Sequence, residues 1–244
     1  MNLLYAVALN LGSDRKEQNM IPENIRMKEG TVLRDESLFE GKADSLSSPE
    51  TVEEICQIVR YCRETGTPIT VRGGLTAMNG AGVPSRGHSM SMEQLNQVEY
   101  DPETQTIWAQ AGANFQKIEQ TVRRESTGKR EFAAAPTEKT ATLGGALSFP
   151  TSGIRALRYG TVAQQVLELE YCDNTGILHR AQRDSEAFEQ LLGSEGMCAV
   201  ITGVRLTTTP VPGENWGLIF FLDTEERAEE LASGATREAL KYLE

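Results

Sequence analysis

The chain has few of the residues that build metal and disulfide sites. Its 244 residues include only two histidines, His88 and His179, which stand alone in the sequence and which we interpret as hydrogen-bonded or surface residues. It has four cysteines, Cys56, Cys62, Cys172 and Cys198. Because no two of them form a C-x-x-C pair, the sequence supports neither a zinc site nor an iron–sulfur cluster.

Positive charge and long apolar runs are also scarce. Lysine and arginine total 24 against 35 aspartates and glutamates, a net charge of −11, which argues against non-specific binding of nucleic acid. The apolar start, MNLLYAVALNL, lacks a basic leader and is far too short to span a bilayer. We predict a packing or interface segment there, no transmembrane segment, and a reducing, cytoplasmic location.

Two glycine-rich stretches are the most informative feature of what is present. Residues 67–80 read TPITVRGGLTAMNG, an apolar strand followed by a glycine pair and small or hydroxyl residues, and residues 140–145 read TATLGG. Glycine permits positive φ and close approach, so such loops can aim consecutive amides at phosphate. One such pair is more often only a tight turn. Two of them suggest a ligand with a long polyanionic spine.

The hydrophobic pattern predicts two amphipathic helices around these loops. Ser48 as N-cap, with Pro49 at the first helical position, predicts a helix that ends at Gly66. A second helix is indicated by apolar residues at helical spacing, namely Phe115, Ile118 and Val122.

Strand patterns follow the second loop. The sequence DNTG at 173–176 predicts a hairpin between strands at 167–172 and 177–180, and residues 200–206 predict a closing strand. Beyond Pro210, Leu218–Leu222 predicts a new strand, and Asp223 with Glu226 predicts a capping-box helix that runs through Leu231.

This order of elements resembles a known cofactor-binding domain. Together with the motifs RGG at 72–74, LGGA at 143–146, RYG at 158–160 and GSEG at 193–196, it resembles the FAD-binding domain of the vanillyl-alcohol oxidase and p-cresol methylhydroxylase (PCMH) superfamily. The resemblance runs from about Ser47 to about Pro212 and is greatest to the glycolate oxidase and D-lactate dehydrogenase branch. It implies an α+β, PCMH-type FAD-binding fold of two subdomains with FAD between them.

Matched position by position, the resemblance implies the residues that contact FAD. In the first loop these are Arg72, Gly73, Gly74, Leu75, Thr76, Ala77, Asn79 and Gly80. In the second loop they are Pro136, Thr137, Thr142, Gly144, Gly145 and Ser148. Gly153, Arg158, Tyr159 and Gly160 match the segment near the flavin's sugar and ring, and Gly196 and Ile201 match the stretch that closes over the cofactor. No catalytic residue and no metal ligand is implied.

Some positions depart from the family's pattern. Leu75 stands at a usual glycine, Ala77 at a usual serine, and Ala199 at a usual glycine. A branched side chain at Leu75 resists positive φ and is expected to narrow the pyrophosphate cradle. The first loop also lacks the histidine that anchors covalent flavin in some members, so we expect non-covalent FAD.

The resemblance divides the chain into three parts and implies an activity. These parts are an N-terminal segment at 1–45, the FAD-binding domain at 46–213, and the start of a substrate-binding cap domain at 214–244. The implied reaction is oxidation of a small 2-hydroxy acid by hydride transfer to flavin N5. A partner subunit or a second copy is expected to cover the cap-facing surface. A non-catalytic flavoprotein subunit and a general nucleotide-binding module remain as alternatives.

Overall fold

The computed structural model describes residues 28–29, 32–214 and 219–240, so the apolar start of the chain lies outside the described residues. By spatial contact the chain divides into two units, Met1–Thr209 and Pro210–Glu244. The first unit mixes helices with two main sheets and smaller two-stranded pairings, which confirms the predicted α+β class.

Thirteen strands and six α-helices are found in the described residues, together with one short 3-10 helix at Ala163–Gln165. The strands are β1 (Lys28–Glu29), β2 (Val32–Arg34), β3 (Glu40–Lys42), β4 (Ser45–Ser47), β5 (Ile69–Arg72), β6 (His88–Ser91), β7 (Val98–Asp101), β8 (Thr106–Gln110), β9 (Arg130–Glu131), β10 (Val166–Asp173), β11 (Leu178–Gln182), β12 (Ala199–Thr207) and β13 (Thr209–Pro210). The helices are α1 (Val52–Thr65), α2 (Phe115–Glu125), α3 (Leu143–Ser148), α4 (Ala156–Tyr159), α5 (Glu186–Leu191) and α6 (Glu225–Leu240).

The two main sheets of the first unit differ in strand direction. The four-stranded sheet has the order β1-β4-β6-β5, in which β4 and β5 both run parallel to β6. The five-stranded sheet has the order β11-β10-β12-β8-β7 and is antiparallel throughout. The predicted hairpin is β10–β11 and the predicted closing strand is β12, so both predictions are confirmed. The first sheet contributes the strand before the first glycine loop.

Helix α1 forms as the sequence predicts, but its predicted start is wrong. The N-cap is Thr51, whose hydroxyl accepts a hydrogen bond from the Glu54 amide, and Ser48 and Pro49 lie before the helix. Thr51 can cap because its extended backbone turns its side chain onto the first free amides. The helix ends as predicted at Gly66, which is left-handed with φ 65°.

One continuous core of the first unit lies between helices α1, α2, α3 and α5 and the two main sheets. Helix α1 buries Ile55 and Ile58 in it, and α2 buries the three residues predicted from helical spacing. The ring of Phe115 also stacks on Phe132, with centroids 6.0 Å apart. This core fixes the ends of β5 and β8, from which the two glycine loops are positioned.

The strand predicted at Leu218–Leu222 is wrong for the residues that the structure describes. Residues 219–222 have no regular structure, and the side chains of Ile219 and Phe221 are 83% and 95% exposed. A strand needs a partner for its backbone groups, and the described residues of this unit provide none. Helix α6 then begins at Glu225 and runs past the predicted end at Leu231 to Leu240.

Candidate functional site

A cavity of about 440 Å³ lies in the first unit where the two glycine loops meet. Its wall combines the loop after β5, the residues before and within α3, and the start of β12. The first loop therefore comes from the four-stranded sheet. The second is tied to the five-stranded sheet, because the amides of Leu143 and Gly144 donate to the carbonyls of Ala113 and Ala111 just after β8.

The glycine pair of the first loop packs directly on the second loop. A Cβ atom built on Gly73 would overlap the hydroxyl of Thr142, and one built on Gly74 would lie 2.6 Å from the Thr140 carbonyl oxygen. Neither glycine has positive φ. Both glycines are therefore required by the close contact between the two loops. This contact does not depend on a ligand.

Leu75 is the residue of the first loop that takes the left-handed conformation, with φ 55°. Its side chain turns toward Gly82, where a Cβ atom would lie 2.8 Å from Leu75 Cδ2. The Leu75 side chain was expected to narrow the space between the loops. Because Gly82 has no side chain, it leaves room for Leu75 Cδ2 and reduces that narrowing. The strain of a left-handed leucine remains, at about 1–2 kcal/mol.

The first loop presents backbone amides that lack acceptors, and Arg72 at the end of β5 has a buried Nε atom that also lacks one. In the described structure, none of the amides from Gly73 to Gly80 donates a hydrogen bond. The Nε atom of Arg72 is buried without a hydrogen-bond partner, and Arg72 Nη1 lies 3.9 Å from Glu93 Oε1. A buried, unpaired donor on a charged group costs about 1–3 kcal/mol or more, so an anion in the cavity would be stabilised here.

Gly144 and Gly145 in α3 have different surroundings. A Cβ atom on Gly144 would lie 2.9 Å from Ala111 Cβ, so this glycine permits the helix to pack on β8. On Gly145 the nearest described atom would be Thr142 Oγ1 at 3.2 Å, and the Gly145 amide donates no hydrogen bond among the described residues. Gly145 therefore presents a free amide to the cavity.

Most of the residues predicted from the sequence line this one cavity. They are Arg72, Gly73, Gly74, Leu75, Thr76, Ala77, Asn79, Pro136, Thr142, Gly144, Gly145, Ser148, Gly196 and Ile201. Six predicted residues do not line it, namely Gly80, Thr137, Gly153, Arg158, Tyr159 and Gly160. Contact with FAD stays a prediction for the fourteen lining residues as well as for these six.

The segment that carries Arg158 and Tyr159 is held by contacts of its own. The guanidinium of Arg155 lies 4.4 Å from the centroid of the Tyr159 ring, and that of Arg158 lies 5.5 Å from it. Arg155 also pairs with Glu131 at 2.7 Å. These cation–π and ionic contacts turn Tyr159 toward the two arginines.

Sequence reasoning missed two carboxylates that line the cavity, Glu138 and Glu195. The amide and hydroxyl of Thr140 donate to Glu138, which lowers the pKa of its carboxyl group. Glu195 lies inside the GSEG motif, but motif matching drew attention to the glycines alone. The left-handed backbone at Glu195 and Gly196 is evident only in the structure.

Neither histidine lines the cavity, and each is hydrogen-bonded elsewhere, as the sequence interpretation of both residues expected. His88 is buried between the hydroxyls of Ser45 and Ser47, at 2.8 and 2.7 Å, and desolvation lowers its pKa to about 4. His179 Nε2 lies 2.8 Å from Asp173 Oδ2 on the β10–β11 hairpin. The described residues include no cluster of three or more side chains suited to a metal ion.

A family model described as an FAD binding domain matches residues 43–182, more than half of the chain. The chain belongs to this FAD-binding family. The match contains β5, both glycine loops and α3, so it covers most of the cavity wall. FAD is accordingly the cofactor of this protein, and the expected family and PCMH-type fold are confirmed.

Curated relatives are FAD-linked oxidoreductases and dehydrogenases of hydroxy acids. A D-lactate dehydrogenase of Archaeoglobus fulgidus is 30% identical over 170 residues, which is 66% of this chain and 38% of that protein. An uncharacterized FAD-linked oxidoreductase of Mycobacterium tuberculosis is 27% identical over 212 residues, 81% of this chain and 46% of the relative. A mitochondrial D-2-hydroxyglutarate dehydrogenase of Bos taurus is 30% identical over 181 residues, which is 70% of this chain and 33% of that protein. The chain thus spans less than half of each of these relatives.

Solved structures share the fold. An alkyldihydroxyacetonephosphate synthase superposes with a TM-score of 0.64 at 22% identity, over 71% of this chain and 33% of that chain. A berberine bridge enzyme variant in complex with (S)-reticuline superposes with a TM-score of 0.64 at 25% identity, over 70% of this chain and 35% of that chain. Among the described residues, no helix is both long enough and apolar enough to cross a membrane.

Proposed function

We propose that the chain binds FAD non-covalently, with the pyrophosphate between the two loops, within a protein that oxidises a small 2-hydroxy acid of the D-lactate or D-2-hydroxyglutarate type. The observation that carries the proposal is the junction of both glycine loops in one cavity, inside the matched FAD-binding segment. The names of the relatives support the substrate class.

The residues present fit FAD on physical grounds. The buried Nε of Arg72 and the free amides from Gly73 to Gly80 are donors that phosphate oxygens would satisfy. Gly145 adds a further amide from the second loop. When bound, the flavin supplies the redox chemistry, and the protein's task is to bind it, orient it and shape its electrostatic surroundings.

We assign no catalytic residue to the cavity. Its described lining includes no histidine, and the lowered pKa of Glu138 makes that carboxylate a weak base. The other carboxylate of the lining, Glu195, is exposed, and no contact assigns it the substrate proton.

We also propose that a further protein surface covers this side of the domain. Three apolar side chains near the cavity or in the loops beside it are strongly exposed: Met78 at 84%, Met197 at 82% and Ile154 at 90%. Exposed apolar groups of this size favour contact with more protein, either a cap or a partner subunit. The four unpaired thiols are compatible with a reducing, cytoplasmic setting, which we propose as the location.

The test combines spectroscopy with anaerobic reduction. The purified chain should absorb blue light as a flavoprotein, and D-lactate, glycolate or D-2-hydroxyglutarate should bleach that absorbance, with L-lactate as the stereochemical control. A colourless chain that ignores added FAD would reject the site. Bound flavin that no hydroxy acid bleaches would reject the substrate class and favour a non-catalytic flavoprotein.

A further inference from the structure

The first glycine loop carries the one Asn–Gly pair of the sequence, Asn79 and Gly80. Asn79 lines the cavity, and its side chain is exposed. The pair belongs to no described helix or strand, so no ladder of backbone hydrogen bonds holds it in place. Asparagine is a thermally labile residue, because the backbone nitrogen that follows it can attack the side-chain amide. The position of this pair makes that reaction relevant to the site.

The attacking nitrogen belongs to Gly80, and the structure leaves it accessible. Among the described residues, the Gly80 amide donates no hydrogen bond. Gly80 has φ 78°, and a Cβ atom there would lie 2.9 Å from Phe39 Cδ2. Glycine is therefore required at this position by its backbone and by the Phe39 ring. The same lack of a side chain removes the main steric barrier between this nitrogen and the side chain of Asn79.

The side chain of Asn79 is held by a hydrogen bond that favours the attack. The amide of Ala81 donates to Asn79 Oδ1 at 3.2 Å, which folds the side chain back along the residue that follows it. An N–H group on this oxygen polarises the carbonyl. It would also stabilise the negative charge that develops on the oxygen when a nitrogen adds to Cγ.

We propose that Asn79 deamidates spontaneously in the apo chain and that the product weakens FAD binding, a consequence that rests on the FAD site proposed above. The Gly80 nitrogen loses its proton to solvent and bonds to Asn79 Cγ. The C–N bond of the side-chain amide then breaks, and ammonia leaves. Water opens the resulting succinimide at either carbonyl and gives aspartate or isoaspartate at position 79. Water is the only co-reactant, and no electrons are transferred.

The new carboxylate would lie in the wall of the cavity that is proposed to hold the pyrophosphate. That wall includes the buried Nε atom of Arg72 and the free amides from Gly73 to Gly80. A negative charge here repels phosphate and competes with it for the same donors, so FAD affinity should fall about tenfold. Isoaspartate also lengthens the main chain and displaces the amides. Bound FAD covers Asn79 and should slow the reaction.

Incubation of the freshly purified chain at mildly alkaline pH, with and without saturating FAD, tests the proposal. Peptide mass spectrometry follows conversion at each asparagine, and titration follows FAD affinity. Asn174 is an internal control, because it is also exposed in a turn but is followed by Thr175, whose Cβ hinders attack. Position 79 should convert much faster than position 174 in the apo chain and more slowly with FAD.

Two substitutions separate the modification from general ageing of the protein. Asn79→Gln has a longer side chain that does not readily form the succinimide ring, so its FAD affinity, whatever its starting value, should stay constant during incubation. Asn79→Asp carries the product charge from the start and should bind FAD about tenfold more weakly than the fresh native chain.

The outcomes distinguish this inference from the FAD site itself. Conversion at position 79 that is no faster than at position 174, or that is equally fast with FAD, would overturn the modification as proposed. If Asn79→Gln loses affinity as fast as the native chain, or Asn79→Asp binds FAD as tightly as the fresh native chain, the effect on FAD binding is wrong. A fresh native chain that fails to bind FAD would reject the cofactor site, whereas the mass change at position 79 is measured without FAD.

Discussion

A single methyl group at Gly73 should separate the two glycine loops. The Cβ atom of Gly73→Ala would overlap Thr142 Oγ1 and lie 3.1 Å from Thr142 Cβ. Overpacking of this kind costs about 1–3 kcal/mol, because one loop has to move. Gly73 does not need positive φ, so alanine adds no backbone strain and the cost is steric. We expect weaker FAD binding together with lower stability.

Removing the opposing side chain should restore the contact. Thr142→Ala deletes the hydroxyl and methyl that the new Cβ meets first. The Thr142 hydroxyl makes no capping hydrogen bond to α3, so this substitution alone should cost about 1 kcal/mol for the lost methyl contacts. The loss of unfolding free energy in the double variant Gly73→Ala/Thr142→Ala should therefore be smaller than the sum of the two single losses by about 1 kcal/mol or more.

Urea unfolding of the apo chain and FAD titration would measure this coupling. Gly213→Ala serves as the control, because nothing lies within 4 Å of a Cβ there and its φ is not positive. The proposed interlocking of the loops is refuted if Gly73→Ala is as mild as Gly213→Ala, or if the double variant shows no coupling beyond about 0.5 kcal/mol.

Three further predictions follow from single residues. Leu75→Gly should be more stable to urea than Leu75→Ala by about 1 kcal/mol, because only glycine relieves the φ of 55°; equal stabilities would contradict strain at this position. The pKa of His88 is lowered from 6.5 to about 4 in the folded chain. Between pH 6.5 and pH 4, therefore, this histidine is protonated in the unfolded chain and neutral in the folded chain. As pH falls through this range the free energy of unfolding should drop by about 1.4 kcal/mol per pH unit, a slope that His88→Gln should lack in urea titrations at pH 6.5 and 5. Because no histidine or cysteine is among the described residues that line the cavity, denaturing precipitation should leave the yellow flavin in the supernatant; a yellow pellet would show a covalent bond.

The elements that a local pattern specifies were predictable, and those that depend on a distant partner were not. Helix α2 follows from Phe115, Ile118 and Val122, which share one face and bury together. The β10–β11 hairpin follows from its turn residues. The run at 219–222 has strong strand propensity, yet propensity cannot supply the neighbouring strand that its backbone groups would need.

The candidate site was predictable as two loops but not as a set of contacts. Both glycine motifs reach one cavity, whereas Arg158 and Tyr159 belong to a separate cluster with Arg155. The sequence gives no sign of this, because the contacts of Arg155 with Glu131 and Tyr159 depend on the tertiary fold. Glu195 was missed because an acidic residue between glycines has no regular pattern of its own.

The first loop shows that a glycine motif in a sequence does not indicate which contact requires each glycine. Gly73 and Gly74 stand where a phosphate-binding loop needs small residues, but each is required by the second loop, and the left-handed position falls on Leu75. The second loop is in turn fixed to the five-stranded sheet through Leu143 and Gly144. A ligand that satisfies the free amides of both loops therefore binds to structure contributed by both sheets. If FAD bridges the loops as proposed, it should stabilise the two sheets together by RT ln(1 + [FAD]/Kd), a gain that rises with the logarithm of its concentration.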